Sequence, residues 1–320
     1  MEKSVEDHIR QATGATALTG EEDIQQLWSG YGMIRRYHLQ GCPRPTVVVK
    51  HIRLAKPGRH PRGWHNDRSH QRKLRSYEVE LAWYRDHAAS CPPACRIPTC
   101  LSAESRDKEM LLILEDLDTA GYPVRRESLN WQGVETCLTW LAGFHAAFMG
   151  TKPTGLWREG TYWHLQTRPD ELAAMEDETL RRAAAPIDAR LRQTKNRTLV
   201  HGDAKLANFC FSPDQRRVAA VDFQYTGGGC GMKDVAYFIG SCLDDRSCAE
   251  KEGRILDFYF KALKQSLPPG LDGDAVEAEW RPLYSWAWAD FQRFLQGWSP
   301  GHWKINDYGA RQVRHVLQSL

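Results

Sequence analysis

The apolar pattern of this chain changes period near residue 115, and no other feature limits its possible folds as much. Ahead of that point the signals are strand-like. Ile24 to Trp28, Met33 to Leu39 and the β-branched run Thr46 to Val49 are separated by turn sequences at Ser29-Gly30-Tyr31-Gly32 and Gly41-Cys42-Pro43, the pattern of an antiparallel meander. Leu111 to Leu114 reads as a further buried strand, and Lys73 to His87 as a helix. Beyond it, Val134, Leu138, Leu141, Phe144, His145 and Phe148 fall on one helical face that Gly150 stops. Residues 169–194, 233–265 and 274–298 continue in helical register, with short strands at Leu199 to Val200 and Val218 to Val221 flanking a loop. Strands followed by helices predict an α+β chain: a small β-rich lobe over 1–118 and a larger helical lobe over 119–320, joined near Glu115 to Ala120. At roughly 150 residues per domain, the length accommodates about two such lobes.

Composition excludes several classes. The 43 Lys+Arg nearly balance 40 Asp+Glu, leaving a net charge of +3, so this is not a wholly basic or acidic chain. Hydrophobic content of 42% argues for a packed core rather than disorder. No apolar run approaches the ~18 residues of a membrane span, and the first ten residues mix both charge signs, so a cytoplasmic protein without a membrane partner is expected. The nine cysteines are odd in number and scattered, as expected of reduced thiols. Cys91, Cys95 and Cys100 lack the two-residue spacing of a zinc knuckle. The basic stretch from Arg59 to Arg75 carries one aromatic residue, Trp64, and reads as a solvated loop and helix start, or as a lid over phosphates. It does not resemble a nucleic-acid module, and no nucleic-acid partner is expected.

The chemistry concentrates in His201-Gly202-Asp203-Ala204-Lys205-Leu206-Ala207-Asn208 and in Val221-Asp222-Phe223-Gln224. An Asp is followed five residues later by Asn, and nineteen residues later by a second Asp at a strand end. Phosphoryl transfer needs such a set: a carboxylate to orient the attacking hydroxyl, and an amide oxygen plus another carboxylate to hold Mg²⁺. Val47-Val48-Val49-Lys50 puts an ammonium at a strand end, where it can reach nucleotide phosphates. Its helical partner is Glu78 or Glu80; residues two apart face different sides of a helix, so only one of them can point inward.

With these residues the chain resembles the protein-kinase-like small-molecule phosphotransferases, which include aminoglycoside and choline kinases. It is most similar to the ecdysteroid kinase-like branch, through Asp222-Phe223-Gln224 and Asp234-Val235-Ala236-Tyr237-Phe238. The resemblance implies a two-lobed kinase fold that uses ATP and Mg²⁺ and phosphorylates a hydroxyl of a small molecule. It makes Asp203 the catalytic base, Asn208 and Asp222 the metal ligands, Lys50 the phosphate-binding lysine, and Glu115 and Leu117 of LLILEDL the adenine contacts. The aromatic-flanked pattern Tyr77-x-x-Glu80-x-x-Trp83-Tyr84 favours Glu80 as the lysine's partner. Lys205, two residues after Asp203, would steady the transferred group. Ser29, Gly30 and Gly32 would form the lid over the phosphates.

At helical spacing the aromatic stripe from Trp280 to Trp298 reads first as core; the resemblance alternatively implies an acceptor pocket formed by the late helices, with Trp286 and Asp290, and by the insertion before the catalytic loop, with Tyr162, Trp163 and Arg168. His201 would brace the loop, His145 would be a core histidine, and Asp234 would either cap a helix or accept N–H bonds from the catalytic loop. A nucleotide-binding pseudokinase and a protein kinase are the rival readings. The intact set of Lys50, Asp203, Asn208 and Asp222 counts against the first. The short run from Asp222 to Asp234 leaves little room for the second's activation loop.

Overall fold

The computed structural model describes residues 4–27, 30–53, 67–106 and 109–320. It opens with α1 (Val5–Thr13), started by a reciprocal cap in which Ser4 Oγ accepts the Asp7 N–H and the Asp7 carboxylate accepts the Ser4 N–H. Next come β1 (Ala17–Gln26), β2 (Gly32–Gln40), β3 (Thr46–Arg53), α2 (Asp67–Ala82), β4 (Cys100–Arg106) and β5 (Glu109–Glu115). The five strands form one antiparallel sheet in the order β1-β2-β3-β5-β4. Alternation along β3 decides what each face does. Val47 and Val49 point outward and are sealed by Ile9 of α1, whereas Val48 and Lys50 point to the inner face.

The rest of the chain is mainly helical: α3 (Trp131–Ala147), α4 (Pro169–Ala173) and α5 (Glu178–Arg192), then β6 (Thr198–Val200), β7 (Phe209–Phe211), β8 (Val218–Ala220) and β9 (Gly227–Gly229). The chain ends with α6 (Met232–Cys242), α7 (Asp245–Ser266), α8 (Gly273–Trp280), α9 (Leu283–Trp298) and α10 (Asp307–Leu317). This is a two-lobed α+β kinase-like architecture. β6 pairs with β9 and β7 with β8, so two short antiparallel ribbons grip the segment from His201 to Asn208 at both ends.

Several elements escaped sequence pattern, among them the short strands β7 and β9. α1 is short, β4 is polar, and α10 carries too few apolar residues in a row to stand out. The 233–265 stretch is two helices, because Asp244 accepts the Ser247 N–H and restarts the chain as α7. Ser29 and the segment from Arg59 to Trp64 lie outside the described residues. All nine cysteines are free, and burial pushes the Cys91 thiol up and that of Cys95 to about 12. Among the described residues no helix is long and apolar enough to cross a membrane.

Candidate active site

Between the lobes lies a cavity of about 1510 Å³ whose wall includes Lys50, Glu80, Glu115, Leu117, Asp203, Lys205, Asn208 and Asp222. Lys50 comes from β3, and its Nζ lies 2.5 Å from Glu80 Oε2 on α2 and 3.5 Å from Asp222 Oδ1. Lys50 and Glu80 are buried, 4% and 2% exposed. Burial opposes the charge on Lys50, but Glu80 and Asp222 outweigh it and raise the ammonium above its ordinary range. Glu78 points the other way, is exposed and pairs with Arg75 at 3.2 Å. Breaking a buried pair such as Lys50–Glu80 by removing one partner costs about 3–5 kcal/mol.

The segment from His201 to Asn208 is held through its backbone N–H groups. Asp234, fully buried, accepts the His201 N–H at 2.6 Å and the Gly202 N–H at 2.9 Å. Of the two roles open to Asp234, this is the loop-holding one; Gly231 occupies the N-cap of α6. His145 Nε2 stands 3.1 Å from the same carboxylate, with Tyr259 Oη on its other nitrogen at 2.8 Å. The Asp203 N–H donates to His201 Nδ1, so the His201 proton sits on Nε2, which donates to the Val221 carbonyl at 3.0 Å. His201 therefore ties the two acidic segments together. Gly202 is required here: at φ +80° a side chain is strained, and a Cβ would stand 2.0 Å from the Tyr225 carbonyl.

Asp203 is only 4% exposed; its Oδ2 receives Lys205 Nζ at 2.9 Å and Asn208 Nδ2 at 3.0 Å. Its Oδ1 is buried without a hydrogen-bond partner among the described residues. Asn208 spends its amide N–H groups on the Asp203 carboxylate and carbonyl, which leaves its amide oxygen for another ligand. Asp222 holds a left-handed backbone, φ +69°, a conformation that costs an L-residue of order 1–3 kcal/mol and clusters at functional sites. Burial works against the charge on Asp222, yet Lys50, Lys205 and Lys73 keep its carboxyl below the usual range. Asp203 in turn raises Lys205. Phe223, the next residue, stacks on Trp83 at 4.6 Å and packs against His201 at 4.7 Å. Gln224 accepts from Lys73 Nζ at 2.9 Å and from Ser76 Oγ at 3.2 Å, joining this segment to α2.

At the junction Asp116 is buried and accepts Arg36 Nε at 2.6 Å and Thr46 Oγ1 at 2.7 Å. The Leu117 carbonyl accepts the Tyr122 N–H at 2.8 Å. Glu115 turns its carboxylate to the Thr99 N–H and to Arg96. Gly30 and Gly32 are not on the cavity wall. Gly32 sits where a Cβ would strike the His51 carbonyl at 1.9 Å, so its place is set by the β2–β3 contact, while Leu27 and Tyr31 of the same turn face the cavity.

Family comparison adds to this geometry. The model of the ecdysteroid kinase-like family matches residues 81–155 and 158–268. The chain belongs to the ecdysteroid kinase-like family. It is thus a small-molecule phosphotransferase by family, with a hydroxyl group as acceptor. No curated protein matches this family member by sequence. Its fold is shared with a solved microcompartment-associated aminopropanol kinase, at 16% identity and TM-score 0.54 over 98% of this chain and 94% of the other. A Plasmodium vivax ethanolamine kinase shares it at 10% identity and TM-score 0.53, over 95% and 84%.

The expected acceptor residues divide. Tyr162 and Arg168 line the cavity; Trp163, Trp286 and Asp290 do not. Trp163 is fully buried and donates its indole N–H to Asp290 at 3.0 Å. Asp290 is itself fully buried, 2.9 Å from Arg293 and 3.7 Å from Lys233, so its charge is neutralised inside the lobe rather than offered to a ligand. Trp286 packs half-buried against the main core. In this kinase-like protein the wall beyond Asp203 is made instead by Tyr237, Phe291, Phe294, Trp298, Trp303 and Lys304. The sequence patterns singled out neither Lys304 nor Lys73, and Gln224 only as part of the Asp222-Phe223-Gln224 motif. The available signal for Lys304 was a lone cation closing the aromatic run Trp298 to Trp303.

Proposed function

We propose that this protein transfers the γ-phosphoryl group of ATP, with Mg²⁺, to a hydroxyl of a small organic molecule. The observation that carries the reading is convergence: Lys50, Asp203, Asn208 and Asp222, from well-separated segments, line one cavity. Two hard oxygen donors, the Asn208 amide oxygen and the Asp222 carboxylate, suit a Mg²⁺ ion that takes its other ligands from phosphates and water. Among the described residues no three His, Cys, Asp or Glu side chains form a metal cage, and a phosphate-bridged ion does not need one. When bound, the metal supplies neutralisation of phosphate charge.

On this reading the unpartnered Asp203 Oδ1 receives the acceptor hydroxyl. The acceptor oxygen bonds to the γ-phosphorus as the bridge to the β-phosphate breaks; Asp203 takes the hydroxyl proton and ADP leaves. Lys50, fixed by Glu80, contacts the triphosphate, and Lys205 follows the transferred group. The main chain at Glu115 and Leu117 takes the adenine, and the nucleotide-binding lobe ends at residue 118. The folds it shares belong to proteins named as aminopropanol and ethanolamine kinases, but 16% and 10% identity do not transfer an acceptor.

The test is a screen of hydroxyl-bearing metabolites for ATP consumption with Asp203→Asn as control. Turnover of at least one acceptor, abolished by Asp203→Asn with ATP binding retained, supports the reading. Equal turnover by the variant contradicts it.

A further inference from the structure

The acceptor end of the cavity carries an unmatched cation. Lys304 lies between α9 and α10 and is 7% exposed. Its main chain is fixed: the carbonyl accepts from the buried Gln292 side chain at 2.7 Å, and the N–H donates to His302 Nδ1 at 3.1 Å. The ammonium lies 4.5 Å from the Tyr237 ring centroid, 5.3 Å from Trp303 and 5.7 Å from Phe291. Among the described residues no hydrogen bond and no acidic group within 4 Å engages its Nζ. Of its neighbours on this wall, Lys205 is on Asp203 at 2.9 Å and Arg168 is on Glu171 at 2.8 Å, whereas Lys304 has no carboxylate within 4 Å among the described residues.

Aromatic faces attract a cation but do not satisfy its three N–H donors. A buried ammonium facing a ligand cavity is completed by an anionic oxygen, and it repels an amine placed in the same box. Burial lowers Lys304 to about 8, with Asp203 opposing and Lys205 assisting, which is the mark of a cation short of a counter-charge.

We propose that Lys304 is a specificity-determining residue, and that the acceptor is a ring-bearing alcohol carrying a carboxylate rather than an amino alcohol. The hydroxyl lies at Asp203, the ring among Tyr237, Phe291 and Trp303, and the carboxylate on Lys304. The inference rests on the reading of this cleft as an acceptor site. It adds the sign of the acceptor's charge, which aromatic lining alone does not give, since the same rings without Lys304 would attract a cation.

The test uses matched probes: 4-(hydroxymethyl)benzoate, 4-(hydroxymethyl)benzylamine and 4-methylbenzyl alcohol, with their two-ring naphthyl counterparts. Binding is read by tryptophan fluorescence, which does not require turnover, and phosphorylation by ATP consumption. The carboxylates should bind the wild type at least ~30-fold tighter than the amines, about 2 kcal/mol at 1.4 kcal/mol per tenfold. Lys304→Met should erase that preference, Lys304→Glu should reverse it, and Lys304→Arg, with the charge kept, should retain it. Equal binding of carboxylate and amine, no binding of any carboxylate, or a preference that survives Lys304→Met would overturn the proposal. Nucleotide binding, measured separately, fails only if the kinase reading fails; carboxylate selectivity without nucleotide binding would uphold Lys304 and sink that reading instead.

Discussion

Replacing Asp234 by Asn probes how the catalytic loop is held. Both carboxylate oxygens are committed: Oδ2 to the His201 N–H at 2.6 Å and to His145 at 3.1 Å, Oδ1 to the Gly202 N–H at 2.9 Å. An amide must turn its NH₂ toward one of these donors. The less costly orientation faces Gly202, because the other opposes two groups at once. A charge-assisted bond worth about 1.5–3 kcal/mol is lost and a buried N–H is left unmet, so stability should fall by about 2–4 kcal/mol. Asp234 is fully buried, so solvent does not soften the loss. Gly202 precedes Asp203, and a displacement of about 1 Å at the reacting group can cost 10²-fold. Urea unfolding and steady-state kinetics should show the stability loss, kcat down about 100-fold, and the ATP KM within about threefold. Stability within about 0.5 kcal/mol of wild type and an unchanged kcat would refute the argument; a stability loss with kcat intact would reduce Asp234 to a packing role.

Two further outcomes follow from buried charge. Glu80→Gln takes away the nearer of the two carboxylates that compensate the Lys50 ammonium, with Asp222 left at 3.5 Å, and should destabilise the protein by at most about 3–5 kcal/mol while weakening ATP binding; calorimetry showing wild-type affinity would contradict it. His164 is buried beside Asp188 at 3.5 Å, and burial, with Lys233 assisting and Asp290 opposing, pushes it down to about 3. Its neutral form is kept in the fold, so the stability present above about pH 6.5 is lost as pH falls toward 3, at about 1.4 kcal/mol per pH unit. Unfolding free energies at pH 7 and pH 5 should differ by about 2 kcal/mol more in wild type than in His164→Gln, and equal differences would exclude His164 as the cause.

The legible parts of the site were those written in one short stretch of chain. His201 to Asn208 and Asp222 to Gln224 carry their spacing covalently; helix period says that only one of Glu78 and Glu80 faces inward, and the aromatic-flanked pattern around Glu80 chooses it. Residues whose meaning depends on distant partners were not legible. Asp290 beside tryptophans reads as a pocket acid until Lys233 and Arg293 are seen to surround it, and Lys304 reads as a surface lysine until the rings of α6 and α9 close over it. Gly32 also answers to a carbonyl in the neighbouring strand, a demand that its turn sequence does not announce.

On the proposed reading, Asn208 and Asp222 hold a metal against a triphosphate gripped by Lys50. The most direct measurement is calorimetric titration of ATP with Mg²⁺ and with EDTA, on wild type and on Asp222→Asn. A Kd between ~1 μM and ~1 mM is expected with Mg²⁺, with at least ~tenfold weaker binding in EDTA and no such difference in the variant. Wild-type protein that ignores the nucleotide, or binds it equally well with and without the metal, would contradict it.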